Sequence, residues 1–256
     1  MPLPWVPGGT DQMSRSFRWW VGSRLRRLEQ RLTGAVRVPF YPVGRDWLFD
    51  VRCFCGWSSA PLVIDAGANI GQTVHDLLLA FPAARIHAFE PVSDTFGRLQ
   101  TRYSRQPRVQ CHPLALGREP ARFSIPLHRD SELNTLVRDQ PRTADFTGNL
   151  EEVTVDTLDA FCSRHAIDSI DILKMDVQGW ELELLQGAEG LLRDRRIRFI
   201  YSEVGFRQDS ADMQQFSTLN DALEQRGYWL CGFYQPFRWG PDKRYLGFSN
   251  ALYTLR

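Results

Sequence analysis

The feature that most constrains this chain is Val63-Ile64-Asp65-Ala66-Gly67-Ala68-Asn69-Ile70-Gly71, answered by Ala88-Phe89-Glu90-Pro91. A short apolar run ends in an acid, breaks into a loop of small residues and resumes with helical spacing. A second acid, Glu90, closes the next apolar run 19 residues after Gly71. That order reads as a strand, a nucleotide-type loop, a helix and a second strand whose terminal carboxylate can take two ribose hydroxyls. A dinucleotide fingerprint starting at Gly67 needs glycine at 69 and 72, where Asn69 and Gln72 stand. The glycines instead follow the spacing Gly67-x-x-x-Gly71.

From residue 61 onward, strand and helix patterns alternate, which implies a mainly parallel sheet with helices on both faces. Strands are expected at 62–65, 85–90, 108–113, 170–175 and 197–202. Helices are expected at 70–81, from Ser93 as a plausible N-cap, at 157–165, as one long element over 180–193, and at 212–226. Residues 121–127 and 151–155 read as two extra strands around an irregular loop. Tyr228–Phe233 and Ser249–Leu255 have no helical pattern between them, so they read as a terminal hairpin that puts one antiparallel strand into the sheet.

At 256 residues the chain is one domain, or one domain with an extension. We divide it into an N-terminal extension, 1–60, and a cofactor-binding domain, 61–256. Residues 1–13, rich in proline and glycine, read as disordered. Residues 14–33 are helix-compatible, with Phe17, Trp20, Val21, Leu25, Leu28 and Leu32 on one stripe and six arginines against the single acid Glu29. The stripe fits a helix packed on the domain with a solvated arginine face, or peripheral contact with anionic lipid at the inner membrane. Residues 35–60, broken by Pro39, Pro42, Gly44 and Gly56, are expected to cover the site's mouth or to pair as edge strands.

The net charge of +1 gives no basic field for nucleic acid, and none is expected as a partner. The five cysteines are odd in number and scattered, unlike a secreted disulfide framework, and are read as ordinary thiols of a cytoplasmic protein. Cys53-x-Cys55 lacks a second ligand pair, and no metal is expected. No run of 18 apolar residues spans a membrane, and the start carries no signal-peptide pattern.

The Asp65-x-Gly67-x-Asn69-x-Gly71 loop resembles the S-adenosylmethionine (SAM) loop of class I methyltransferases. A second motif runs Ile172-Leu173-Lys174-Met175-Asp176-Val177-Gln178-Gly179-Trp180-Glu181. With the first, and with Val155-Asp156-Thr157-Leu158-Asp159, it resembles the FkbM family of SAM-dependent methyltransferases over about residues 61–205. Two positions depart from that family's pattern. Gln178 stands where a glutamate is usual, and Trp180 is bulkier than the small residue often found there. The resemblance implies a Rossmann-like α/β fold, a seven-stranded and mostly parallel sheet ending in a hairpin. It also implies SAM as cofactor and O-methyl transfer to a hydroxyl of a sugar, glycan or secondary metabolite.

Ligands of such sheets lie beyond the carboxyl ends of the strands. Asp65, Glu90, the 114–117 turn, Asp176 and Glu203 should therefore ring one cleft. Gly67, Ala68, Asn69 and Gly71 bring backbone close to the cofactor, and N–H groups near the helix start can receive a carboxylate. Asp65 can order the loop or hold an amino group. Glu90 takes the ribose, with Pro91 fixing the turn after it, and Ala115 and Leu116 offer a wall for adenine. Asp176 is the first candidate to contact acceptor or cofactor. Lys174 tunes it or simply pairs with it, and Glu203 is either a second polar wall or a helix cap. His112 and His128 are further candidate bases. The loops 128–150, with Ser131, Asn134 and Thr135, and 233–248, rich in aromatic and basic residues, are candidate walls of an acceptor pocket. Competing readings are an N- or RNA methyltransferase, and a SAM-binding or membrane-tethered scaffold without turnover. The oligomeric state is open.

Overall fold

The computed structural model describes residues 43–55, 60–128, 146–207 and 213–256. The chain divides at Pro42, and the first unit, Met1–Pro42, falls outside the described residues, with the expected helix at 14–33. The loop readings at 129–145 fall outside them too.

Seven strands form the main sheet. They are β1 (Leu62–Ala66), β2 (Arg85–Phe89), β3 (Val109–His112), β7 (Ile170–Met175), β8 (Ile197–Gly205), β9 (Tyr228–Trp239) and β10 (Tyr245–Leu255). Their order is β3-β2-β1-β7-β8-β10-β9. The first five are parallel, and β10 runs antiparallel to both β8 and β9. The expected mostly parallel sheet with a terminal hairpin is therefore present. Strands β4 (Ala115–Leu116), β5 (Ala121–His128) and β6 (Phe146–Asp156) form a second sheet.

Alternation along β1 shows how the sequence builds two cores. Leu62, Ile64 and Ala66 face one side, with α4 (Leu158–Arg164), α5 (Glu181–Gln186), α6 (Glu189–Arg193) and α7 (Phe216–Glu224). Val63 faces the other, with α1 (Trp47–Cys55), α2 (Gln72–Ala80) and α3 (Ser93–Tyr103). A strand buried on both faces reads as continuous hydrophobe, as Leu62-Val63-Ile64 does.

Several expectations need correction. Residues 47–55 form a helix, not a covering piece or edge strand. Trp47 and Val51, one turn apart, enter the core, and Trp47 stacks on Tyr201 with centroids 4.0 Å apart. Helix α2 starts at Gln72 rather than 70, because Gly71 takes a left-handed φ of 87°. Ser93 is the first residue of α3 and does not cap it; its hydroxyl donates to Glu151, 2.5 Å away. Residues 115–116 are a short strand paired with Val155 and Asp156, not a turn. The long helix over 180–193 is two helices broken at Gly187 and Ala188. A Cβ on Gly187 would sit 1.9 Å from the Gly117 carbonyl oxygen, so close approach of the β4 loop selects the break. The 233–248 loop is hairpin arm: β9 continues to Trp239 and β10 begins at Tyr245.

Candidate active site

The loop after β1 is held against β2. The N–H groups of Gly67 and Ala68 both donate to the Phe89 carbonyl, at 3.1 and 2.9 Å. Gly67, Asn69 and Gly71 have φ of 75°, 47° and 87°, the left-handed conformations that the small-residue loop allows. At Gly67 a Cβ would lie 1.9 Å from the Asp176 carbonyl oxygen, so glycine lets this loop touch the end of β7. Gly71 is closed from behind by Tyr103, whose hydroxyl donates to the Gly71 carbonyl at 2.7 Å.

Glu90 lies just past β2 and is almost fully buried, 7 % exposed. Its Oε2 accepts from the Asn69 N–H at 3.1 Å and its Oε1 from the Val92 N–H at 3.0 Å. Burial pushes its pKa up to about 7, against those two hydrogen bonds.

The opposite wall is built on β7. Lys174, paired with Asp65 in the strand register, places its Nζ 3.0 Å from Asp65 Oδ1, 3.5 Å from Asp176 Oδ2 and 3.0 Å from the Gly67 carbonyl. Burial favours the neutral amine, but the carboxylates of Asp65 and Asp176 outweigh it and raise the Lys174 pKa above the ordinary lysine value. Asp65 is fully buried, and among the described residues its Oδ2 has no hydrogen-bond partner. Burial pushes Asp65 toward protonation and the Lys174 charge opposes it.

Asp176 is held on its other oxygen by Gln178 Nε2 at 3.2 Å. The turn that carries both is tight, with φ of 52° at Gln178 and 88° at Gly179. Glu181, 2 % exposed, reaches back to accept from the Val177 N–H at 3.1 Å, and burial pushes its pKa up to about 7.

These elements enclose a cleft of about 310 Å³. Of the residues singled out in the sequence, Gly67, Ala68, Asn69, Glu90, Pro91, Ala115, Leu116, Lys174, Asp176 and Glu203 line it. Asp65 and Gly71 do not; they support the loop from behind. Glu203 lies within β8 rather than past its end, because that strand runs on to Gly205. His112 is not at the cleft. It packs among His87, Phe89 and Phe161, with its Nε2 3.1 Å from His87 Nδ1, and burial lowers both pKa values to about 4. The His128 side chain lies outside the described residues. The sequence reading missed Gln72, Thr73, Val92 and Ile125 as lining residues, and Tyr103 and Glu181 as supports. Among the described residues, no cluster of three or more His, Cys, Asp or Glu side chains has the geometry to hold a metal ion, and no helix is long and apolar enough to cross a membrane.

Comparison with known proteins fits this arrangement. A family model described as the methyltransferase FkbM domain matches residues 65–230. The chain is 28% identical over 156 residues to the 2-O-methyltransferase NoeI of Sinorhizobium fredii, covering 56% of this chain and 63% of that protein. It is 28% identical over 183 residues to Methyltransferase 1 of Beauveria bassiana, covering 65% and 71% of the two chains. The chain thus spans less than two thirds of NoeI. Among solved structures, the FkbM methyltransferase of Methylobacillus flagellatus KT aligns with a TM-score of 0.50 at 19% identity, over 76% of this chain and 43% of that one. At that identity the likeness concerns the fold. The family match spans both walls of the cleft, from the Asp65 loop through the Lys174–Asp176 strand end, and the chain belongs to the FkbM methyltransferase family.

Proposed function

We propose that this protein transfers a methyl group from SAM to a hydroxyl of a sugar or secondary metabolite. The observation that carries the reading is the facing pair of walls: Glu90 behind the glycine loop on one side, Asp176 anchored by Lys174 on the other.

The residues present fit the cofactor. Each Glu90 oxygen already takes one backbone N–H and keeps a further lone pair for a ribose hydroxyl. Ala115, Leu116 and Ile125 give an apolar wall for adenine. Bound there, SAM supplies an electrophilic methyl group, so the protein's main task is to align acceptor and donor. Asp176 takes the proton as the acceptor hydroxyl attacks. Lys174 stays charged and cannot act as that base; it fixes Asp176 and the Gly67 carbonyl in one geometry. Gln178 orients the second Asp176 oxygen with a neutral donor in place of the family's usual glutamate. Glu203 supplies a second acceptor on the same cleft.

Two measurements test the proposal. Calorimetry with SAM and S-adenosylhomocysteine should show a single site, and no heat at millimolar ligand would sink the cofactor assignment. A labelled-methyl assay on fractionated glycans and metabolites should then give alkali-stable labelled product, as expected of an ether. Label found only on nitrogen or in RNA would overturn the hydroxyl acceptor.

A further inference from the structure

The cleft has a nucleoside end and an open end, and the strand order separates them. Glu90 follows β2, whereas Glu203 lies on β8, beyond β1 and β7. The acceptor therefore approaches on the Glu203 side, where the terminal hairpin stands. The register defines what lies next to Glu203. Asn250 pairs opposite it, and Phe248 pairs opposite Gly205. Opposed residues of antiparallel strands share a face, and so do alternate residues of one strand. Glu203, Asn250 and Phe248 accordingly share the face that carries Lys174 and Tyr201.

Phe237, paired with Phe248, lies on the same face. The two rings stack with centroids 4.8 Å apart and planes 13° apart, and Phe237 is 50% exposed. Gly205 leaves room on this face for Met213, whose Cβ a Gly205 Cβ would meet at 3.1 Å, so the open route from the shelf to Glu203 runs over Asn250. Gly247, at a register shift in the hairpin, lets the Phe237 ring settle: a Cβ there would come 3.1 Å from Phe237 Cδ1. Between shelf and carboxylate stand two amides, Asn250 Nδ2 and Gln235 Oε1, 3.4 Å apart. The other aromatic cluster of this region, Phe206, Phe216 and Phe233, packs its rings on one another by two edge contacts and one tilted contact, and Phe233 pairs with Ala251 on the opposite face.

An aromatic shelf, then amides, then carboxylates, in that order along one face, points to a ligand with one apolar flat side and a rim of hydroxyls. The geometry points to the Phe237–Phe248 pair as the acceptor platform, taking the C–H face of a pyranose ring whose hydroxyls reach Asn250, Gln235 and Glu203; this rests on the methyl-transfer reading above. Polarised C–H groups are attracted to the negative face of an aromatic ring, while the amides and acid fix orientation. A flat aromatic acceptor would use the rings and leave the polar rim idle.

Saturation-transfer NMR with a panel of methyl pyranosides, including N-acetylated and deoxy sugars, tests the platform on the full chain. The panel is run with and without S-adenosylhomocysteine. The expected result is saturation of ring C–H protons in at least one sugar, an affinity about fivefold weaker in Phe237→Ala, and recovery in Phe237→Trp. Phe237→Ala should leave calorimetric S-adenosylhomocysteine affinity unchanged, which shows that the variant is folded. No saturation of any pyranoside at millimolar concentration overturns the platform, as does equal saturation in the native chain and Phe237→Ala. So does a Phe237→Ala change confined to self-association by size-exclusion chromatography. Loss of cofactor binding in the native chain alongside intact sugar binding would defeat the methyl-transfer reading and leave the platform standing.

Discussion

Lys174 Nζ sits 3.0 Å from Asp65 Oδ1 and 3.0 Å from the Gly67 carbonyl oxygen, so one buried ammonium ties the two central strands to the glycine loop. Removing that charge leaves Asp65 buried with neither oxygen paired among the described residues. Truncating one partner of a buried ion pair costs about 3–5 kcal/mol, much of it the stranded charge. Lys174→Met should therefore lower the urea-unfolding free energy by that amount, and adding Asp65→Asn should restore part of it. A single-variant loss below about 1 kcal/mol would show that solvent reaches Asp65.

Gly67 makes a sharper demand. Its φ of 75° acts together with the closeness of the Asp176 carbonyl oxygen, which a Cβ at this position would meet at 1.9 Å. Because the obstructing atom is backbone, a side chain here must part β1 from the end of β7. Gly67→Ala should cost more than about 2 kcal/mol in thermal or urea unfolding. Gly97→Ala, in helix α3 with open space around it, should be neutral or slightly stabilising. Equal stabilities for the two variants would refute the packing described for Gly67.

The difference between those two glycines is legible in the sequence, because a strand-to-helix loop needs close backbone approach and a helix interior does not. Strand β7 reads to its observed bounds, since Ile170-Asp171-Ile172-Leu173-Lys174-Met175 is bounded by polar residues on both sides. Glu90 is legible as an acid closing a strand. The helical break at Gly187 is not, because leucine periodicity runs through Leu182–Leu192 and the cause lies in the Gly117 carbonyl, 70 residues earlier. Pro236 makes the hairpin arm look like a loop, yet β9 is an edge strand, where a proline removes no ladder bond. Tyr103 and Glu181 escape the sequence for a related reason. Each acts on a backbone group, one across 32 residues and one inside a strained turn, and neither partner leaves a mark in side-chain patterning.

Glu181 should be visible in a pH titration of stability. Its folded pKa, pushed up to about 7 by burial, lies above the ordinary glutamate value, so the folded state holds a proton that the unfolded state has released. Its contribution is full below the unfolded pKa and is lost as pH rises through about 7. Glutamine keeps an oxygen for the Val177 N–H and does not ionise. Glu181→Gln should gain on the native chain by up to about 1.4 kcal/mol per pH unit between the two pKa values, and level off above them. A stability difference independent of pH from 4 to 8 would show that Glu181 is not buried as an acid.

Glu90 carries the same sign in stability but the opposite consequence for ligand binding. Its pKa of about 7 means that a large share of the free protein is protonated at neutral pH. The carboxylate is the better acceptor for two ribose hydroxyls, and charge-assisted bonds are the stronger ones. Affinity for S-adenosylhomocysteine should therefore rise as pH goes from about 6 to 8, with proton release on binding below pH 7. Glu90→Gln should flatten that dependence, and Glu90→Ala should weaken binding by more than about 1 kcal/mol, roughly fivefold or more. Calorimetry in buffers of different ionisation enthalpy measures both quantities at once. A flat profile in the native chain, or unchanged affinity in Glu90→Ala, would remove Glu90 from the ribose site and leave the loop after β1 to hold the nucleoside without it.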